Sequence, residues 1–345
     1  MAEGLIHTPV CRWCGRGPLG FRFTFDRTLV PGSGAEAETF VMEWCRECGS
    51  YQVNPHPGPD MAREFFSRPG LYVRTCDPEG REVDPVSRAE QRDEEYRGYA
   101  AAALRLMPEG GTVIDLGAGT GLMLSLFPDR YRRIAVEPNP EAASKARERG
   151  LEVSSAWAED LEKPPADIAL AIFNQSLDHF VRPDIVLGRM LNWIPPGGMV
   201  LLSGLVNPKS VAARITGPMF RLWHPFHQVY PPRDAVVSRL ASFGFETVAV
   251  WRPYFRTPYG SLPALIGGAF TLTKAFLLRN RRGTPSPPWP GNTVSYLARK
   301  ALLFRTLAVP DAAGRSVKIP HGKTGLVAPM GRGGGPDPEA GPRGA

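Results

Sequence analysis

The chain has 345 residues, a formal net charge of +7 and 43% apolar residues. This length is typical of two domains, and the apolar fraction suffices for a sizeable core. The mild positive charge is spread along the chain, which favours ordinary solubility over nucleic-acid binding. We expect neither a secretory signal nor a membrane span, because residues 1–7 are not an apolar segment and no uninterrupted apolar run reaches about 18 residues. The expected location is therefore the cytoplasm.

Two CxxCG motifs begin the chain, formed by Cys11 and Cys14 and by Cys45 and Cys48. Two such pairs complete a tetrahedral set of four thiolates, which is typical of a structural zinc site. Alternating residues predict strands at 21–25 and 39–44, joined by a glycine-rich turn. This order predicts a zinc ribbon over residues 1–56. The alternative, redox pairs or disulfides, is disfavoured by a cytoplasmic location.

Residues 57–107 are expected to form a linker followed by helices. A proline-rich stretch at 54–59 precedes a short predicted helix at 60–66. Residues 85–107 have the periodicity of a helix, with charges on one side and apolar residues on the other. This helix leads directly into the next predicted strand.

A glycine-rich turn follows the predicted strand at 112–116, and a helix-like apolar segment follows at 122–127. Gly117, Gly119 and Gly121 permit positive φ angles and let a ligand approach the backbone. A second strand ends at the acid Glu137, and an acid at this position can accept hydrogen bonds from both hydroxyls of a ribose. A glycine turn alone is weak evidence, because many α/β proteins have one.

The order of Asp115, the three glycines and Glu137 resembles motif I of the class I S-adenosylmethionine (SAM)-dependent methyltransferases. The resemblance implies an α/β fold with a doubly wound, seven-stranded Rossmann-like sheet beside the small N-terminal zinc ribbon. It also implies that the glycine turn approaches the methionine part of SAM, that Glu137 holds the ribose, and that the N-terminal helices within 57–107, including the helix at 85–107, cover the pocket. The open alternative is a generic Rossmann-like turn for another nucleotide.

The later segments continue the strand–helix alternation of such a core, expected over residues 108–302. Strands are predicted at 151–157, 167–173, 199–203, 247–251 and 292–300, with helices at 139–149, 184–194 and 234–243. In the family an acid after the third strand often contacts adenine, and here that contact is expected from Asp160 or the Ala158 amide. The expected SAM-binding residues are Asp115, Gly117, Ala118, Gly119, Gly121, Glu137, Pro138, Ala158, Asp160 and Asn174.

The candidate catalytic groups are histidines. His179 lies in NQSLDHFVRP, which resembles the N-x-x-L-E-H-x-x-x-P segment after strand 4 of many small-molecule methyltransferases, with Asp178 replacing the usual Glu. His179 is either a general base or substrate-orienting group, or a structural histidine that caps the next helix. His224 and His227 lie in an insert at 207–232, which covers the substrate pocket in related enzymes. Each is either a base or substrate contact, or a packed residue of this lid.

A second insert spans residues 253–290. Its segment 264–278 predicts a largely apolar helix that ends in the basic stretch 279–282. The favoured interpretation is a helix packed on the domain or at a dimer interface, and the alternative is peripheral contact with a membrane surface through 264–282. Residues 303–345 form a C-terminal extension, which we expect to be disordered from about residue 323.

These features predict a SAM-dependent methyltransferase for a small or carrier-linked hydroxylated acceptor, such as a sugar or natural-product intermediate, with one structural Zn²⁺. A first alternative is an rRNA or tRNA base methyltransferase whose ribbon grips RNA. The ribbon has few clustered lysines or arginines, which argues against a nucleic-acid partner. A second alternative is a non-catalytic SAM-binding module. The acceptor and the oligomeric state are left open by the sequence.

Overall fold

The computed structural model describes residues 4–27, 38–68, 75–76, 82–83, 92–107, 109–162, 167–220, 222–253, 290–302, 306–310 and 316–320, with six isolated positions between 262 and 273. The strands are β1 Leu5–Ile6, β2 Leu19–Arg27, β3 Glu38–Cys45, β4 Tyr51–Val53, β5 His56–Pro57, β6 Thr75–Cys76, β7 Glu82–Val83, β8 Thr112–Leu116, β9 Arg132–Val136, β10 Glu152–Ser154, β11 Ile168–Asn174, β12 Met199–Val206, β13 Val229–Tyr230, β14 Phe245–Trp251, β15 Thr293–Lys300, β16 Thr306–Pro310 and β17 Ser316–Pro320. The helices are α1 Pro59–Ser67, α2 Asp93–Leu104, α3 Pro140–Glu148, α4 Pro183–Trp193, α5 Val211–Thr216 and α6 Arg233–Ser242.

The central sheet has seven strands in the order β10-β9-β8-β11-β12-β15-β14. The first five strands are parallel, and β15 is antiparallel to both of its neighbours. This arrangement confirms the predicted doubly wound sheet with its last antiparallel strand. Leu116 pairs with Val136, and Asn174 pairs with Ser203. The carboxyl ends of β8, β9, β11 and β12 therefore meet at one edge, where ligands bind in open α/β sheets.

Helices cover both faces of this sheet. Every residue of β8 and β12 is buried, as expected for strands with a helix layer on each side. Tyr99 and Ala103 of α2 pack in one apolar cluster with Val113, whereas Leu187 of α4 packs in another with Ile114. Alternate residues of β8 thus face opposite helix layers.

The helix α3 begins as the sequence predicts. The Asn139 side chain accepts hydrogen bonds from the backbone N–H groups of Glu141 and Ala142, and Pro140 occupies the first turn. Gly150 follows the helix with a φ of +76°. The predicted cap, first turn and stop residue are therefore confirmed.

The helix-like segment expected at 122–127 is only a short 3₁₀ turn, Leu124–Leu126. Phe127 has a ψ of 137°, outside the helical region. The cause is local, because Pro128 disfavours the helical conformation of the residue before it. The glycine turn therefore leads into a compact turn rather than into a full helix.

The ribbon strands expected at 21–25 and 39–44 are confirmed as β2 and β3. Together with β4 they form an antiparallel sheet whose fourth strand is β13, in the order β13-β4-β3-β2. The register pairs Val229 with Gln52 and Tyr230 with Tyr51. The insert at 207–232 thus contributes a strand to the sheet of the N-terminal four-cysteine ribbon, which the sequence did not indicate.

The remaining predictions concern the N-terminal helices, the second insert, the C-terminal extension and membrane spans. The helices predicted at 60–66 and 85–107 correspond to α1 and α2, although residues 85–91 lie outside the described part of the chain. Most of the segment 264–278 and the whole tail from 323 also lie outside it. The hairpin β16–β17 was not predicted. Among the described residues, no helix combines the length and apolarity that crossing a membrane requires.

Candidate functional site

The glycine turn after β8 is held by the neighbouring strand. The N–H groups of Gly117 and Ala118 donate to the Val136 carbonyl at 2.9 and 3.2 Å. Gly117 and Gly121 both have a φ of +74°. A Cβ at Gly117 would lie 2.7 Å from the Ser176 Cβ, and one at Gly121 would lie 2.3 Å from the Leu151 Cδ1. Both glycines are therefore required by close packing as well as by backbone conformation.

Glu137 follows β9 and fixes the same turn. Its Oε2 accepts a hydrogen bond from the Gly119 N–H at 2.8 Å, and its Oε1 accepts one from the Asn139 N–H at 2.9 Å. The side chain is buried, and this burial raises its pKa, whereas the two N–H donors act to lower it. The carboxylate thus joins the ends of β8 and β9 at the floor of a cavity.

The cavity has a volume of about 640 Å³ and lies at the carboxyl edge of the sheet. This volume is within the range of about 300–1,000 Å³ that is typical of small-molecule sites. Eight of the residues predicted to bind SAM or to catalyse line it: Gly117, Ala118, Gly119, Glu137, Pro138, Ala158, Asn174 and His179. Five others are not among the lining residues: Asp115, Gly121, Asp160, His224 and His227.

Two of those five residues, Asp115 and Asp160, are acids whose side chains have contacts or burial elsewhere. Asp115 is completely buried in β8, and this burial, together with the charge of Glu137, raises its pKa well above the ordinary value. Asp160 accepts two hydrogen bonds from Arg63 Nη2, both at 2.8 Å. The acid that lines the cavity beside Ala158 is Glu159, whose pKa is raised by burial.

Helix α1 lines one side of the cavity, and it lies within the segment 57–107 whose helices are expected to cover the pocket. Its Arg63 lies 5.5 Å above the Trp157 ring in addition to its contact with Asp160. The Phe66 carbonyl accepts a hydrogen bond from Asn139 Nδ2 at 3.0 Å. The sequence did not indicate these particular contacts, because the adjacent aromatics Phe65 and Phe66 do not identify a distant partner. These contacts hold α1 beside the cavity.

The histidines of the two sequence segments lie close together, although only His179 lines the cavity. Asp178 and His179 belong to a 3₁₀ turn, Leu177–His179, directly after β11. Asp178 Oδ1 is 4.0 Å from His179 Nε2, and its Oδ2 is 3.7 Å from His227 Nδ1. The ring centroids of His179 and His227 are 4.9 Å apart, and those of His224 and His227 are 5.5 Å apart. One carboxylate therefore lies within electrostatic reach of two imidazoles.

The protonation states of these rings follow from their surroundings. Burial lowers the pKa of His179 to about 4, although Asp178 acts to raise it; the neighbouring His227 acts to lower it further. Burial, followed by the charges of His227 and His179, also lowers the pKa of His224 well below its ordinary value. His179 is consequently neutral at pH 7 and can accept a proton. His224 has a structural contact instead, since its Nδ1 accepts a hydrogen bond from the Phe226 N–H at 3.2 Å.

The four predicted metal ligands converge in the ribbon. The Sγ atoms of Cys11 and Cys48 are 3.7 Å apart, as are those of Cys14 and Cys45, and all four lie within 4.8 Å of one another. A tetrahedral zinc ion with Zn–S bonds of about 2.3 Å requires sulfur atoms about 3.8 Å apart. The donor set and its spacing therefore fit zinc.

The strand order, the glycine turn and the buried carboxylate after β9 are those of a class of protein, the SAM-dependent methyltransferases of class I fold. Residues 88–250 match a family model described as a methyltransferase domain. No curated protein sequence matches the chain.

Several solved structures are similar to the chain. A SAM-dependent methyltransferase from Thermotoga maritima has 20% identity and a TM-score of 0.41, over 62% of this chain and 95% of its own. Geranyl diphosphate C-methyltransferase from Streptomyces coelicolor has 15% identity and a TM-score of 0.41, over 60% of this chain and 77% of its own. The 1,6-didemethyltoxoflavin-N1-methyltransferase from Burkholderia thailandensis has 18% identity and a TM-score of 0.40, over 63% and 81% respectively.

Proposed function

We propose that the protein transfers the methyl group of SAM to a small or carrier-linked hydroxylated acceptor, such as a sugar or natural-product intermediate, and that His179 accepts the acceptor's proton. One observation carries the proposal. His179 lines the same cavity as the glycine turn and Glu137, so a proton acceptor shares one cavity with the residues that we propose bind SAM.

SAM supplies a methyl group on a positively charged sulfur, which is already strongly electrophilic. The protein therefore has to orient an acceptor behind that carbon and to exclude water. Glu137 and the glycine turn would hold the ribose and methionine parts of the cofactor. Phe65 and Phe66 of α1 supply the apolar cover, since Phe66 packs on His179 with ring centroids 5.1 Å apart.

The acid–base step assigned to this chain is short. Neutral His179 would take the proton of the acceptor hydroxyl as that oxygen bonds to the methyl carbon, while the sulfur–methyl bond breaks and S-adenosylhomocysteine leaves. The imidazolium that forms is stabilised by Asp178, whose Oδ1 is 4.0 Å from His179 Nε2. His227 lies behind the same carboxylate and assists in orienting it.

The four-cysteine cluster would hold one structural zinc ion, because four thiols at this spacing leave no open coordination position for catalysis. Thiols committed to a metal rather than to disulfides also favour a reducing compartment such as the cytoplasm. As partners we propose only the small or carrier-linked acceptor, without nucleic acid.

A turnover experiment tests the proposal. The purified protein is incubated with SAM labelled in its methyl group and with a panel of nucleotide sugars, phenols and structured RNA, and labelled products are identified by mass spectrometry. We expect label in a hydroxylated small molecule and a loss of about a hundredfold or more in kcat for His179→Gln, with unchanged SAM affinity. His7→Gln, at an exposed ribbon histidine, is the matched control. Label in RNA alone, or full activity of His179→Gln, would contradict the proposal.

A further inference from the structure

Arg12 lies between Cys11 and Cys14 of the first CxxCG motif, hereafter the first knuckle. Its side chain is almost completely buried, at 1% exposure. Its Nη2 donates to the carbonyls of Val53 at 2.7 Å and Gln228 at 2.6 Å. Its Nη1 donates to Gln228 Oε1. Both arms of the guanidinium thus reach a residue 216 positions further along the chain. The planar guanidinium of arginine can donate several N–H hydrogen bonds in these fixed directions at once, which the ammonium of lysine cannot do.

Gln228 connects this contact to the cavity. Its backbone N–H donates to the Asp178 carbonyl at 2.7 Å, and its preceding neighbour is His227. The two residues that follow form β13, which pairs with β4 of the ribbon. The segment that carries His227 is therefore held to the ribbon by a strand on one side and by a buried arginine in the middle.

The same segment determines the spacing within the acid–base group. Asp178 is fixed through its backbone by Gln228, while its carboxylate lies between His179 and His227. A shift of Gln228 would therefore move the carboxylate relative to both rings. Coulombic interactions at about 4 Å in a buried site change steeply with distance, so a small shift alters the imidazolium stabilisation.

We propose that Arg12 is a positioning residue for methyl transfer, which sets the geometry of Asp178, His179 and His227 through Gln228 without touching substrate. The zinc ribbon then belongs to the working part of the enzyme, because the knuckle that binds the metal also carries this residue. This inference rests on the proposed function, but its spectroscopic test does not require turnover.

The test compares Arg12→Met, Arg12→Lys and Gln228→Met with Arg16→Met, which alters an exposed arginine next to the same knuckle. Zinc content and SAM affinity are measured first, and we expect them to stay within about twofold of the wild-type values, because none of these residues lines the cavity. We expect kcat to fall about tenfold in Arg12→Met and Gln228→Met with KM little changed, and less in Arg12→Lys. Arg16→Met should behave like the wild type.

The chain has only six histidines, so their ring resonances can be assigned by nuclear magnetic resonance. In Arg12→Met we expect displaced ¹H and ¹⁵N ring resonances of His179 and His227, and an unchanged resonance of His7. We also expect the pKa of His179 to fall, since Asp178 is the group that acts to raise it.

The outcomes separate the two proposals. If no acceptor is methylated by the wild type, the proposed function fails, while displaced ring resonances of His179 and His227 still support positioning. If Arg12→Met loses zinc or unfolds, Gln228→Met decides, because it leaves both knuckles intact. Unchanged ring resonances of His179 and His227, together with an unchanged kcat, in a folded, zinc-bound Gln228→Met would overturn the inference.

Discussion

Replacing Gly121 by alanine isolates the packing role of the glycine turn, because the chain offers a matched position. Gly121 and Gly150 have nearly equal φ angles, +74° and +76°. Alanine in this left-handed region costs about 1–2 kcal/mol at either site. At Gly150 the new Cβ meets no atom within 4 Å, whereas at Gly121 it lies 2.3 Å from Leu151 Cδ1 and 3.2 Å from Ala146 Cβ.

The loss of unfolding free energy that comes from steric overlap should therefore appear at Gly121 and not at Gly150. Leu151 and Ala146 are buried, so their methyl groups have little room to move, and overpacking adds about 1–3 kcal/mol. Gly121→Ala should lose about 2–5 kcal/mol of unfolding free energy and Gly150→Ala about 1–2 kcal/mol. Urea unfolding at pH 7 measures both values. Equal losses in the two variants would refute the packing argument.

Three further predictions concern the cofactor, the metal and pH. Glu137→Gln should weaken SAM binding about tenfold or more in calorimetry, because an amide cannot accept from both N–H groups that the carboxylate serves, whereas Glu152→Gln on the surface should not. Chelation of zinc, or Cys45→Ser, should lower the unfolding temperature, since the metal supplies folding energy to the ribbon. The unfolded chain binds more protons than the folded chain between the two pKa values of His179, about 6.5 unfolded and about 4 folded, so stability should fall as pH falls through this window. Urea unfolding at pH 7 and pH 5 measures that slope, which His179→Gln should reduce.

The central sheet was predictable because its signals are local. The apolar runs of β8, β11 and β12 are long enough to indicate buried strands, Gly117 follows β8 directly, and Glu137 follows β9 directly. The two CxxCG motifs likewise predict a cluster of thiols from spacing alone. In each case the residues that define the feature are close in sequence or repeat a known spacing.

The missed features depend on long-range contacts. The pairing of β13 with β4 joins residues about 180 positions apart, and the Arg63–Asp160 contact joins two charged residues that each have many alternative partners in sequence. Composition likewise could not distinguish His179, which lines the cavity, from His224, whose Nδ1 accepts from the backbone. The geometry of the fold was required for these assignments.

The shared sheet of ribbon and insert has a consequence for synthesis on the ribosome. Strand β4 has emerged long before β13, so one edge of the ribbon sheet stays without its last strand while most of the methyltransferase domain is still being made. An open strand edge invites pairing with other chains, and such late closure slows folding. Ribosome-bound chains that end before residue 229 should therefore be more prone to aggregate than those that extend past residue 230.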